Sequence, residues 1–195
     1  MTPSERRQDL AQRLLAIAAA RIEEQGLSGL KARDLAQEAG CAVGGIYTVF
    51  KDLDDLVLQV NGQTFSSLGS AVNKAVHAAK DGPPVGRLIA MANAYYDFAK
   101  AHRNRWQALF DTQFSQGDEL PEWYRAEVSS LFAIIAEPVT TLRPDLNEHQ
   151  VGLLVRGLFA SVHGIVLLSV QKRISAVPDA DVSWVMESML RAATR

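Results

Sequence analysis

Apolar residues recur at helical spacing along almost the whole chain. Leu10, Leu14, Ile17, Ala18 and Ile22 form one stripe, which predicts a first helix from a Ser4 N-cap to about Gln25. Gly26 stands where a helix-terminating glycine belongs. A short helix is predicted over about Leu30 to Glu38, stopped by Gly40, and another over about Val43 to Phe50. A long helix then opens at Asp52 or Leu53 and runs to about Ala79, with Leu53, Leu56, Val57, Val60, Phe65, Leu68 and Val72 at its apolar positions. Lys80-Asp81-Gly82-Pro83-Pro84 reads as a loop. Further helices are expected at about Val85 to Ala101, Arg105 to Phe114, Leu120 to Leu142, Asn147 to Ile174 and Asp179 to Ala193. Pro138 should kink or split the third of these, because proline removes a hydrogen bond and crowds the preceding turn. No run alternates with period two between turn signals, so no sheet is predicted. The expected fold is all-α with about nine helices, divided into a small unit over residues 1–60 and a larger helical body over 61–195.

Composition narrows the chemistry without naming it. The 195 residues carry 20 basic and 22 acidic side chains, for a net charge of -2, a balance that does not advertise nucleic-acid binding. A chain of this length buries about 70% of its unfolded surface, so its core needs no covalent staple. Cys41 is the only cysteine, which excludes an internal disulfide and a multi-cysteine zinc site and fits a reducing cytoplasm. It could sense oxidants only in an electropositive, exposed setting, and a small turn residue is the simpler reading. The beginning of the chain lacks the apolar stretch of a signal peptide. Val151 to Val170 is apolar and long enough to span a bilayer, but Arg156 and His163 lie inside it, so a buried helix is expected rather than a membrane span. No phosphate loop, dinucleotide fingerprint, nucleophile elbow or zincin motif is present, and neither a metal nor a cofactor is expected.

The informative stretch is LKARDLAQEAGCAVGGIYTVFK, Leu30 to Lys51. Ala36 and Ala39 are small where two helices would cross closely, and Gly40 can take a positive φ in the turn between them. Leu35, Ile46 and Phe50 would supply the apolar contacts. This is the layout of a helix-turn-helix at about residues 31–50, whose second helix enters the DNA major groove. Gly44-Gly45 costs that helix about 1 kcal/mol per glycine relative to alanine, and close approach to another surface is a reason to carry the cost. Tyr47 and Lys51 would meet phosphates, as would Lys31 and Arg33 at the start of the preceding helix. Gly45, Thr48, Ala42 and Val43 would face base edges.

These residues, from about Arg7 to Val60, resemble the N-terminal DNA-binding domain of the TetR/AcrR family of bacterial transcriptional regulators. The resemblance rests on Gly26, on Arg33-Asp34-Leu35-Ala36 followed by Ala39-Gly40, on Gly44-x-Ile46-Tyr47-x-x-Phe50-Lys51, and on Asp54-Asp55-Leu56. Leu30, Ala42, Val43 and Gly45 depart from the hydroxylated, basic or larger residues usual at those positions, so phosphate contacts are expected either to be fewer or to be carried by Arg6, Arg7, Lys31, Arg33 and Lys51. Phe159-Ala160-Ser161-Val162-His163-Gly164, with Arg105-Trp106 and Leu109-Phe110 upstream, is similar to a C-terminal domain type of that family marked by Trp-His-Gly, with Val162 in place of the tryptophan.

The resemblance implies a homodimeric repressor of a palindromic operator, released by a small-molecule effector. An activator or redox-responsive regulator of the same fold is the alternative, and an adaptor without DNA binding would leave the Gly-Gly-Ile-Tyr segment unexplained. Aromatic-lined cavities favour apolar ligands, which makes Tyr95, Trp106, Phe110 and Phe114, with His163, the candidate effector residues. The last two helices are the candidate dimer surface, through Leu154, Gly157, Leu158, Ser161, Val166, Val185, Met189 and Leu190. Residues 1–60 are not basic: Arg6, Arg7, Arg13, Arg21, Lys31, Arg33 and Lys51 are outnumbered by Glu5, Asp9, Glu23, Glu24, Asp34, Glu38, Asp52, Asp54 and Asp55. DNA binding therefore needs a local segregation of charge.

Overall fold

A computed structural model describes residues 2–111 and 120–195. Among the described residues there are nine α-helices and no strand. They are α1 (Pro3–Gln25), α2 (Ala32–Glu38), α3 (Val43–Ile46), α4 (Leu53–Ala78), α5 (Pro84–Ala101), α6 (Arg103–Asp111), α7 (Glu122–Leu142), α8 (Glu148–Val170) and α9 (Val182–Ala193), with a 3-10 turn at Leu27–Gly29.

The chain forms two compact units, Met1–Ser66 with His102–Tyr124, and Ser67–Ala101 with Arg125–Arg195. Compactness thus draws its line inside α4, six residues beyond the 60/61 boundary, and adds α6 to the first unit. The physical reason is a set of bonds that the linear pattern does not display. Asn104 Nδ2 donates to the carbonyl of Glu23 (2.9 Å), and the His102 ring lies 3.2 Å from the Glu23 carboxylate, so α6 is tied to α1. Asn61 and Thr64 of α4 are fully buried: Asn61 Nδ2 donates to the Ala108 carbonyl (3.1 Å), and Arg105 Nε donates to Thr64 Oγ1 (3.1 Å). Ala108 lies in the same core as Leu14, Ile22, Leu35, Ile46, Phe50 and Leu56.

Helix ends follow capping chemistry. The first helix is capped by Thr2, two residues ahead of the expected Ser4 cap. Thr2 Oγ1 accepts from the Glu5 N–H (3.2 Å), Glu5 Oε2 accepts from the Thr2 N–H (2.6 Å), and Pro3 takes the first helical position, where its missing N–H costs nothing. Asn147 and Gln150 make the same reciprocal pair at the start of α8. Pro138 does not split α7, which is one element from Glu122 to Leu142. Val139 beside it is fully buried and its carbonyl accepts from the Arg143 N–H (2.9 Å), so packing and the next turn hold the helix beyond the proline.

In the second unit, α5, α8 and α9 pack on one another around Leu88, Met91, Val155, Leu158, Val166, Val182, Met186 and Leu190. Among the described residues α8 is the only helix long and apolar enough to cross a membrane by length and composition, and 28% of its most apolar stretch is buried. It is apolar on more sides than its own chain covers.

Candidate nucleic-acid interface

The segment from Ala32 to Lys51 is built from the turn outward. At the end of α2, Gly40 takes φ +67°. The Cys41 N–H bonds to the Ala36 carbonyl (2.9 Å) and the Gly40 N–H to the Gln37 carbonyl (3.2 Å), the paired closure that a left-handed glycine permits. Arg13 of α1 reaches across and donates from Nη1 to the carbonyl of Ala39 (2.7 Å), satisfying another carbonyl that the helix end leaves open. Arg21 of α1 lies 2.9 Å from Glu38 and 3.8 Å from Asp34, fastening α2 a second time. Ala36 and Ala39 are buried where α2 crosses its neighbours, and Leu35 and Ile46 are fully buried.

The second helix is shorter than its pattern suggests. α3 is regular only from Val43 to Ile46, and the chain continues to Phe50 through tighter turns, with the Thr48 N–H on the Gly45 carbonyl and the Val49 N–H on the Ile46 carbonyl. Adjacent glycines and the β-branched pair Thr48-Val49 are poor at propagating a helix, while burial of Ile46 and Phe50 fixes the path. Tyr47 is 49% exposed and Val43 40%, and Ala42, Gly44, Thr48 and Lys51 are exposed with them. Thr48 Oγ1 donates to the Gly45 carbonyl (2.7 Å), which leaves the hydroxyl's lone pairs facing outward. Gly45 is less exposed. A Cβ there would lie 3.4 Å from Cys41 Cβ and 3.5 Å from its sulfur, so this residue faces the turn rather than solvent.

Charge on this unit is segregated by internal bonds. Among the acids, Asp9 pairs with Arg13 (3.1 Å), Glu38 with Arg21, and Glu23 with His102. Asp52 Oδ1 accepts from the Asp55 N–H (2.7 Å) and Asp55 Oδ2 from the Lys51 N–H (3.0 Å), so both carboxylates cap the start of α4. Of the seven cations in residues 1–60, Arg13 and Arg21 are consumed by the fold. Arg6, Arg7, Lys31, Arg33 and Lys51 are exposed and have no ion pair among the described residues. A helix-turn-helix with an open reading segment and five cations without carboxylate partners can hold nucleic-acid phosphates and present side chains to base edges.

The profile described as "Bacterial regulatory proteins, tetR family" matches residues 14–60, and that described as "Tetracyclin repressor-like, C-terminal domain" matches residues 88–193. The chain belongs to the TetR family of bacterial transcriptional regulators. It is 25% identical over 161 residues to the HTH-type transcriptional regulator BetI of Serratia proteamaculans (strain 568), covering 81% of this chain and 79% of that one. In fold it is similar to a protein of unknown function from Rhodococcus sp. RHA1, with TM-score 0.78, 24% identity, and coverage of 95% and 96% of the two chains. It is similar also to a tetR-family transcriptional regulator from Streptomyces coelicolor, with TM-score 0.65, 20% identity, and coverage of 99% and 82%. TetR-family members are DNA-binding regulators and not enzymes.

In this TetR-family chain the candidate effector residues fall into separate groups. Tyr95 and His163 meet in the second unit, with the phenol oxygen 2.8 Å from His163 Nδ1. The His163 ring stacks on Phe159 (centroids 5.6 Å, 26°), and Phe132 meets Phe159 edge-on at 5.2 Å. Burial holds the imidazole below its ordinary pKa of 6.5, so it is neutral at pH 7. Trp106 and Phe110 instead pair with each other in the first unit (5.3 Å), Trp106 fully buried and Phe110 exposed. Phe114 lies outside the described residues. Pattern reasoning did not number Phe159, which stacks on His163, or Phe132, which packs on Phe159, among the effector residues, although the spacing of Phe159 to His163 on one helix was a readable signal.

The candidate dimer residues also divide. Leu158, Val166 and Leu190 are buried within the chain's own core and have no side chain left for a second copy. Gly157 and Ser161 are exposed, and Leu154, Val185 and Met189 are half-buried. The exposed large apolar residues of these helices are Leu153 (56%), Leu168 and Trp184 (69%), none of which periodicity had singled out.

Proposed function

We propose that this TetR-family chain is a homodimeric repressor that binds a palindromic operator and leaves it when a largely apolar small molecule binds the second unit. The observation that carries DNA binding is the segregation of charge in the first unit. Arg6, Arg7, Lys31, Arg33 and Lys51 remain available to phosphates, while Glu38 is paired with Arg21 and the Asp52 and Asp55 carboxylates are engaged by backbone N–H groups. In this reading Tyr47 and Lys51 contact phosphates, and Val43, Ala42 and Thr48 meet base edges.

Pairing follows from size. One helix-turn-helix covers too little DNA for selectivity, whereas two copies related by a two-fold axis place their reading segments about 34 Å apart on one face of a palindrome. The surface that supports the pairing is the uncovered side of α8, where Leu153 and Leu168 flank Gly157 and Gly164 along one face, together with the exposed Trp184 of α9. A Cβ added to either glycine would meet nothing within 4 Å of its own chain, so the bare backbone there is open to close approach by another helix. Effector binding is assigned to the neighbourhood of Tyr95, Phe159 and His163, where one polar pair stands among aromatic rings. The continuous helix α4 contributes to both units, and a ligand favouring one conformation of the second unit would shift the population of operator-competent dimers.

Selection of duplexes from a pool with a randomised centre tests this reading. An enriched palindrome bound by a dimer in sedimentation supports it, and failure to enrich any sequence sinks it.

A further inference from the structure

Gly44 has no reason within its own fold to be glycine. Its φ does not lie in the left-handed region, where Gly26 and Gly40 are found. A Cβ built on it meets nothing within 4 Å, and the residue is exposed. Glycine is a poor helix former, so an alanine here would favour α3 without touching anything. Tyr47 and Thr48, on the turns that follow it, and Lys51 at their end are exposed as Gly44 is. Gly45 beside it is turned the other way, its Cβ position facing Cys41 and, at 3.9 Å, Leu10.

We propose that Gly44, and not Gly45, is the glycine of the reading segment that contacts operator DNA. Its bare backbone forms a notch between the side chains of Val43, Tyr47 and Thr48 and sets how deeply the segment seats in the major groove. A methyl group at this point stands between the protein backbone and the duplex and lengthens the contacts of Tyr47, Thr48 and Lys51 together. The inference rests on operator binding as proposed above, and it adds the residue whose absent side chain permits the close approach.

The test uses the full-length chain and a duplex that the wild-type protein enriches from the random-centre pool. Gly44→Ala should bind that duplex about tenfold more weakly, the scale of one mismatched base pair. Its thermal midpoint should be unchanged or raised by about 2–4 °C, since the helix gains and nothing clashes. Gly45→Ala, whose methyl points at Cys41 at ordinary contact distance, should bind within about twofold of wild type. Wild-type affinity in Gly44→Ala overturns the inference while leaving operator binding intact. A fall in the thermal midpoint that accompanies the weaker binding also overturns it, because the glycine then serves the fold. Equal losses in the two variants overturn the choice of Gly44 over Gly45. If the wild-type chain enriches no duplex, the operator reading and this inference fall together.

Discussion

Two surfaces of this chain are left open by its own fold, and they are made of opposite materials. Around the reading segment the exposed groups are cations, the Tyr47 phenol, the Thr48 hydroxyl and glycine backbone. Along α8 and α9 they are Leu153, Leu168 and Trp184, with the exposed Gly157 and the half-buried Gly164 between the two leucines on α8. The first suits a polyanion whose counterions are released on contact, so its strength falls with salt. The second suits another apolar surface removed from water, and salt should hardly weaken it. What the surfaces share is glycine whose missing Cβ no neighbouring atom explains. In the proposed function these are the places where DNA and a second copy would come close.

Trp184→Asp combined with Leu153→Asp should break the comparison most severely. Placing carboxylates where two apolar faces meet should weaken self-association by more than about a hundredfold, in the range of a lost hot spot. Sedimentation in low and in high salt checks it, and a dimer that dissolves in salt instead would assign pairing to charge. Next in size is Ile46→Ala, fully buried in the first unit, which should cost about 2–4 kcal/mol in denaturant unfolding by leaving a cavity.

A pair of smaller changes separates cations of the same unit. Arg13→Ala should cost about 1 kcal/mol of stability, since the Ala39 carbonyl loses its donor, and should leave the salt slope of DNA binding unchanged. Lys51→Ala should leave the unfolding midpoint alone and flatten that slope by about one unit. Identical outcomes for the two would erase the division between cations that hold the fold and cations that face outward.

The smallest effect belongs to His163. Burial lowers its pKa in the folded state below the ordinary 6.5, so the unfolded chain binds the proton more readily. Stability should therefore decline as pH falls through 6.5, and level off once pH is below the folded-state pKa. His163→Gln should flatten this part of the profile in unfolding measured between pH 7.5 and 5.5, and an unaltered profile would assign the dependence to other groups.

The helix-turn-helix was legible because its determinants are local. A left-handed glycine at Gly40, small residues at Ala36 and Ala39, and apolar Leu35, Ile46 and Phe50 at fixed spacing define one crossing almost by sterics alone. The role of Arg13 was not legible. It reads as one more charged residue on a solvated face, and only the position of the Ala39 carbonyl, 26 residues away, makes it structural. The placement of α6 in the first unit depends likewise on Asn61, Thr64, Asn104 and Arg105 finding partners far along the chain. In α8 apolar residues surround the helix, so periodicity could not say which of Leu153, Leu158 and Val166 face inward.

By itself, then, the sequence determined the all-helical class, the helix-turn-helix, its cations and the TetR-family resemblance, because these rest on short-range sterics, helical spacing and residue type. The tertiary structure decided which cations stay available, which glycine of Gly44-Gly45 faces outward, and which apolar residues of the last two helices remain uncovered. Those outcomes depend on distant groups competing for the same hydrogen bonds and the same buried volume, and that competition is settled only when the chain has closed upon itself.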